Sequence, residues 1–186
     1  MIRLLSLILI LFLSNSLSSG PAQVILIRHA EADPTTGQLN LRGLERAAAM
    51  VPFFQGDPLV TQFGVPVAIY AAGSMTANGS SATTQTVAGI ASVSGLPVID
   101  QFVTGQAPDL ARAIYNNRTY DGRTVLVCVS YLDIPSIAHA MGANVAPAKW
   151  PPDVYDRLWI ISFDPGGGIA SFLDAPQKLL FGDAPL

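Results

Sequence analysis

The sequence predicts an α/β domain, a three-layer sandwich with a mostly parallel central sheet and a C-terminal antiparallel hairpin. Short, continuous apolar runs, typical of strands buried on both faces, alternate with amphipathic segments typical of helices. Two final strand-like runs flank a Gly-rich turn, which favours a hairpin. The 186 residues, of which 50% are hydrophobic, supply one core and fit one domain.

Each element has its own signal along the chain. Asn40 can cap the first helix, and Leu44, Ala48, Val51 and Phe54 recur at helical spacing, so we expect them to form its buried face. Asp133 can cap the last helix, which Gly142 ends. The predicted strands are 23–27, 66–70, 96–99, 124–129, 158–163 and 169–173, and the predicted helices are 41–54, 84–94, 107–115 and 134–141.

The N-terminus is typical of a secretory signal peptide. Arg3 provides a basic start, residues 4–13 are almost wholly apolar, and residues 15–20 are small and polar. The apolar run is shorter than the roughly 20 residues that a bilayer span needs. We therefore expect a signal peptide over 1–20, a folded domain over 21–186 and a secreted or extracytoplasmic location, with an uncleaved signal anchor as the alternative.

Composition excludes several classes of partner and cofactor. The formal net charge is -3 and no Lys/Arg cluster occurs, so no nucleic-acid partner is expected. Neither a metal-ligand spacing nor a Gly-rich cofactor loop is present, so no metal and no cofactor are predicted. The one cysteine, Cys128, lies within an apolar run and is predicted to be buried and inert.

Arg28 and His29 follow the first predicted strand directly. Ligands of open parallel sheets bind beyond the carboxyl ends of the strands. A histidine there can attack a phosphoryl group, and an arginine can hold the phosphoryl oxygens. The pair therefore predicts a site for a phosphorylated small molecule or another anion.

The motif at 24–31, an apolar strand followed by Arg-His-Ala-Glu, resembles the opening motif of the histidine phosphatase superfamily, whose fold is phosphoglycerate mutase-like. Further segments resemble that family in order and spacing, and the last of them resembles exported single-domain members: 39–47, 80–86, 122–128 and 149–159. The resemblance implies that His29 is the nucleophile and Arg28 binds phosphate. Glu31 is the first candidate for a further catalytic role, and the general acid stays open among Glu31, Asp100 and Asp133.

The chain departs from the family pattern at two positions. Ala82 stands where the family has a second phosphate-binding arginine, and Ser130 or Tyr131 stands where it has a second histidine. The remaining histidine, His139, is expected on the solvent face of its helix.

These departures predict weak or no phosphatase activity, with a residual anion pocket at Arg28 and His29. Two alternatives stay open. One is an active phosphomonoester hydrolase that forms a phosphohistidine at His29, and the other is a non-enzymatic interaction scaffold.

Overall fold

A computed structural model describes residues 20–73 and 82–183 of the chain. Strands and helices alternate along it, as predicted. The elements are β1 (Gln23–Arg28), α1 (Leu41–Gly56), β2 (Pro66–Ala71), α2 (Ala82–Ser94), β3 (Val98–Ile99), α3 (Ala107–Asn116), β4 (Thr124–Val129), α4 (Ile134–Ala140), β5 (Arg157–Phe163) and β6 (Ile169–Pro176).

The strands form one six-stranded sheet in the order β3-β2-β4-β1-β5-β6. The pairs β2–β3, β2–β4 and β1–β4 are parallel, whereas β5 runs antiparallel to β1 and β6 runs antiparallel to β5. The mostly parallel sheet and the C-terminal hairpin are therefore confirmed. Arg28 pairs with Val129 and Ala71 pairs with Cys128, so β1, β2 and β4 end at the same edge.

Helices cover the sheet on both faces, which gives the predicted three layers. Helices α1 and α2 pack on one face, where Met50, Phe54 and Ile90 meet Ile25 and Leu126 in a buried cluster. Helices α3 and α4 cover the other face with a second cluster, which includes Leu110, Ile114, Ile134, Ile137, Val127 and Trp159. Every residue of β1 and β4 is buried because both strands lie between these layers.

The predicted buried face of α1 is largely wrong. Leu44 is 54% exposed, and the residues that α1 buries are Gly43, Arg46, Ala47, Met50, Phe53 and Phe54. Among the four predicted residues, only Phe54 is fully buried. A hydrophobic pattern does not identify this face, because two of its buried residues are not large apolar ones. Arg46 is buried against its acidic partners, and Gly43 is buried by a close backbone contact.

Asp133 occupies the N-cap position of α4, but its side chain makes no capping hydrogen bond. Its Oδ1 accepts a hydrogen bond from the Gly105 N–H at 3.1 Å instead, which ties α4 to the loop before α3. His139 is exposed, as predicted, and its Nε2 lies 3.1 Å from the Ala146 carbonyl oxygen. Helix α2 begins at Ala82, two residues before its predicted start.

Cys128 is fully buried in β4, as predicted. Burial raises the pKa of its thiol, so the reactive thiolate is scarce at neutral pH. The burial and the raised pKa together support the inert role that the apolar run predicts.

Within residues 20–73 and 82–183, no helix is long and apolar enough to cross a membrane. The predicted signal peptide falls almost wholly in residues 1–19, which lie outside the described residues. The expectation of export therefore remains a prediction.

Candidate active site

His29 is fixed at the edge of the sheet where β1, β2 and β4 end. Its backbone N–H donates to the Val129 carbonyl oxygen at 3.1 Å, which extends the pairing of β1 with β4 by one residue. The next backbone N–H, of Ala30, donates to Thr86 Oγ1 of α2 at 2.9 Å. Backbone bonds to a strand and to a helix therefore hold the loop that carries His29.

His29 opens onto a cleft of about 370 Å³. The cleft lies over the carboxyl ends of the parallel strands, where the sequence predicted a site. Two of the altered positions, Ala82 and Ser130, share it with His29. The described residues that line it are His29, Ala32, Asp33, Pro34, Gly37, Ala72, Gly73, Ala82, Thr83, Thr104, Ser130 and Tyr155.

The His29 ring has a defined tautomer. Its Nδ1 lies 2.8 Å from the Ala30 carbonyl oxygen, which can only accept a hydrogen bond. Nδ1 therefore carries the proton, and Nε2 keeps a lone pair in the neutral ring. Burial lowers the pKa of the imidazole and outweighs the hydrogen bond to Ala30, which acts to raise it, while the charge of Arg28 also lowers it. His29 is thus neutral at pH 7, which is the form that a nucleophile or a general base requires.

The Arg28 side chain, by contrast, is enclosed and only 4% of the residue is exposed. Its Cζ lies 3.6 Å from the centroid of the Tyr155 ring and 4.6 Å from that of Tyr131. Its Nη1 donates to the carbonyl oxygens of Pro152 and Val154. Cation–π contacts of this kind contribute about 2 kcal/mol each when desolvated. Arg28 therefore binds the segment around Pro152, and it is not among the residues that line the His29 cleft.

Ser130 and Tyr131, the two candidates for the missing histidine position, face different surroundings. Ser130 lines the cleft with His29, and its Oγ accepts a hydrogen bond from the Leu132 N–H at 3.3 Å. Tyr131 covers the Arg28 guanidinium and is not among the described residues that line the cleft. Ser130 is therefore the position whose side chain shares the cleft with His29.

The described lining of the cleft contains no Lys or Arg. Residues 74–81, which precede α2, contain no Lys or Arg in their sequence either. Ala82, at the start of α2, is buried against the cleft and offers only a methyl group. The one formal charge in the described lining is the negative charge of Asp33, so this part of the cleft does not attract an anion by charge.

Glu31 belongs to a cluster of ion pairs beside the cleft. Its carboxylate accepts hydrogen bonds from Arg46 at 2.8 Å and from Arg42 at 3.2 Å, and Arg46 also binds Asp183 at 2.8 Å. Burial acts to raise the pKa of Glu31, but the hydrogen bonds from Arg46 and from the backbone, together with the charges of Arg46 and Arg42, outweigh burial and hold the pKa below its usual value. A carboxylate held this way anchors the loop after His29 and retains no proton to donate at neutral pH.

None of the three predicted candidates for the general acid lines the described part of the cleft. Glu31 lies in the ion-pair cluster, Asp100 is exposed and Asp133 is buried beside Gly105. The carboxylate that does line it is Asp33, which sequence reasoning missed. Backbone N–H bonds from its own loop lower its pKa, so it is also ionised at neutral pH.

Tyr155 was the second residue that sequence reasoning missed. Its ring lies edge-on to His29, with centroids 6.2 Å apart and an interplanar angle of 68°. The segment 149–159 contains three aromatic residues, and its prolines at 151 and 152 indicate a loop before β5. The sequence pattern does not say which of its aromatic rings reaches His29.

Comparison with known proteins supports the fold that this geometry defines. No family model and no curated protein sequence matches the chain. Among solved structures, the chain is similar to the candidate phosphohistidine phosphatase SixA from Agrobacterium tumefaciens. That pair has a TM-score of 0.51 and 16% identity, over 82% of this chain and 98% of that one. A mycobacterial hydrolase has a TM-score of 0.50 and 12% identity, over 89% of this chain and 92% of its own.

The chain therefore has the histidine phosphatase fold, which is the phosphoglycerate mutase-like architecture. This confirms the fold that the motif at 24–31 predicted. Because both sequence identities lie well below 25%, the similarity supports the fold only. The activity has to be inferred from the residues of the site.

Proposed function

We propose that this protein is an exported protein of the histidine phosphatase fold with weak or no phosphatase activity, and that the residual anion pocket expected at Arg28 and His29 binds phosphate only weakly. The observation that carries the proposal is the absence of positive charge from the described lining of the cleft. Arg28 is enclosed by two tyrosines, and Ala82 and Ser130 offer no cation.

The chemistry of phosphoryl transfer explains why charge matters here. The transition state carries negative charge on its equatorial oxygens, and catalysis consists mainly of positioning and electrostatic stabilisation. Loss of one charge-stabilising donor typically lowers the rate about 10²- to 10³-fold. Several losses at one site do not multiply simply, because such groups act as a unit.

One observation favours a second candidate function, an active phosphomonoester hydrolase that works through a phosphohistidine at His29. His29 is neutral, with a lone pair on Nε2, and it faces the cleft. The similarity to SixA makes a phosphohistidine-containing peptide the most informative substrate besides a chromogenic phosphate ester. Both substrates belong in the same assay.

The test compares the natural chain with a repaired one. We expect the natural chain to turn over both substrates far below the roughly 1–10³ per second typical of enzymes. The double variant Ala82→Arg/Ser130→His should be at least about tenfold faster, because it returns two donors to the cleft. The expected gain requires His29, so adding His29→Ala should abolish it.

The matched control is Ala82→Arg/Tyr131→His, which places the same histidine beside Arg28 instead of in the cleft. It should gain less than the Ser130 variant. Natural turnover in the enzyme range that His29→Ala abolishes would replace our proposal with the active-hydrolase candidate. If neither the natural nor the repaired chain binds phosphate or turns over, the scaffold alternative gains support.

Export is supported by the order of basic, apolar and small polar residues at the N-terminus. We expect the mature chain to begin near residue 20. N-terminal sequencing of protein from the extracytoplasmic fraction measures this directly. A mature chain that begins at Met1 in the cytosol would contradict export and leave the proposal for the cleft unaffected.

A further inference from the structure

The Tyr155 ring contacts Arg28 and also lines the His29 cleft. The Arg28 Cζ lies 3.6 Å from the ring centroid. The same ring presents an edge to His29, with centroids 6.2 Å apart, and belongs to the cleft lining. Tyr155 therefore contacts both the enclosed guanidinium and the cleft that contains His29, whereas Arg28 itself is not among the described residues that line that cleft.

The enclosed position of Arg28 leaves part of its hydrogen-bonding capacity unused. Nη1 donates to two backbone carbonyls, but Nε is buried without a hydrogen-bond partner among the described residues. A buried N–H without a partner is unfavourable, so hydrogen bonds alone do not account for this placement. The faces of Tyr131 and Tyr155 supply further contacts of the cation, and the charges of Asp153 and Glu31 also favour the charged guanidinium.

We infer that Tyr155 is a positioning residue that sets the anion affinity of the His29 cleft by keeping Arg28 out of it. The inference rests on the proposed function, since the enclosure of Arg28 is one reason for the weak activity proposed there. It adds that the Tyr155 ring holds the Arg28 guanidinium outside the cleft, so that removal of the ring allows the guanidinium to enter the cleft. The ligand class is a phosphoryl group or another oxyanion, which a guanidinium binds through paired N–H donors.

The experiment measures orthophosphate binding by isothermal titration calorimetry at constant ionic strength, with folding checked by circular dichroism. Tyr155→Leu removes the aromatic wall, and we expect it to bind phosphate about 10- to 100-fold more tightly than the natural chain. Tyr155→Phe keeps the ring and should bind like the natural chain. A folded Tyr155→Leu variant with unchanged affinity would overturn the inference.

Two further variants test whether Arg28 is responsible for the gain. The gain should vanish in Tyr155→Leu/Arg28→Met, because no cation is then available. Tyr131→Leu removes the other aromatic face, which does not line the described cleft, and should produce no gain. A gain that persists without Arg28, or one that Tyr131→Leu reproduces, would contradict the role of Tyr155 as the separating wall.

The natural protein offers a second measurement should Tyr155→Leu fail to fold. An arginine-specific dicarbonyl reagent should modify Arg112, whose side chain is 68% exposed, well before Arg28. Equal rates for both arginines would overturn the inference. Failure of the inference is distinguishable from failure of the proposed function, because the first appears in phosphate affinity and reagent access and the second in turnover.

Discussion

Gly43→Ala should lower the free energy of unfolding by about 3 kcal/mol, because α1 packs against the loop after His29 with no room for a side chain. A Cβ at position 43 would lie 2.0 Å from the Glu31 carbonyl oxygen and 2.9 Å from the Glu31 carbonyl carbon. Both atoms are backbone, so no side-chain rotation relieves the overlap. Urea denaturation followed by circular dichroism measures the loss.

Gly56→Ala is the matched control, since Gly56 is the last residue of the same helix. A Cβ there meets nothing within 4 Å, so alanine should be neutral or slightly stabilising. Equal stabilities of the Gly43→Ala and Gly56→Ala variants would contradict the close packing of α1 against the loop after His29. The expected difference also explains the glycine in the segment 39–47 in physical terms.

Arg46→Met should lower the free energy of unfolding by about 3 kcal/mol, because it removes a buried guanidinium from two partly buried carboxylates, which then keep only Arg42 as a basic partner among the described residues. Arg46 is 1% exposed and binds Glu31 and Asp183, each at 2.8 Å. The same urea experiment measures this loss. Arg112→Met is the control, since Arg112 pairs with Asp109 on the surface and should lose less than about 1 kcal/mol.

The loss in Arg46→Met should shrink as the pH falls. Burial acts to raise the pKa values of Glu31 and Asp183, but the hydrogen bonds from Arg46 and from the backbone, together with the charge of Arg46, outweigh burial and lower both values. A carboxyl group whose pKa is lower in the folded state than in the unfolded state stabilises the fold. This stabilisation is complete at pH values above the unfolded-state pKa, 4.5 for Glu31 and 3.8 for Asp183. It is lost as the pH falls through the lower, folded-state pKa. A difference between natural and variant chains that stays constant down to about pH 3 would contradict the ion-pair account.

The order and type of the elements could be predicted from the sequence because the signals are local. Apolar runs such as 124–129 identify buried strands, and the Gly-rich turn at 166–168 identifies the hairpin. The buried face of α1 could not be predicted in this way. Arg46 is buried through a partner, Asp183, that lies 137 residues away in the chain.

In the candidate site, too, the features that depend on local sequence could be predicted and those that depend on distant contacts could not. His29 and Ser130 follow neighbouring strands and Ala82 begins a helix at the same edge, so their positions in the sequence place them in one cleft. The enclosure of Arg28 depends on carbonyl groups and an aromatic ring more than 120 residues away in the chain. No local pattern predicts that contact, so the sequence assigned Arg28 to phosphate although its guanidinium binds Pro152.

The most direct test of this account is whether His29 of the natural chain accepts a phosphoryl group. The protein is incubated with excess phosphomonoester and quenched in alkali, and the peptide that contains His29 is examined by mass spectrometry. We expect no phosphohistidine above the level found in His29→Ala, because the described cleft provides no cation to stabilise the transfer. Rapid, near-stoichiometric phosphorylation of His29 would contradict the account and establish an active phosphatase.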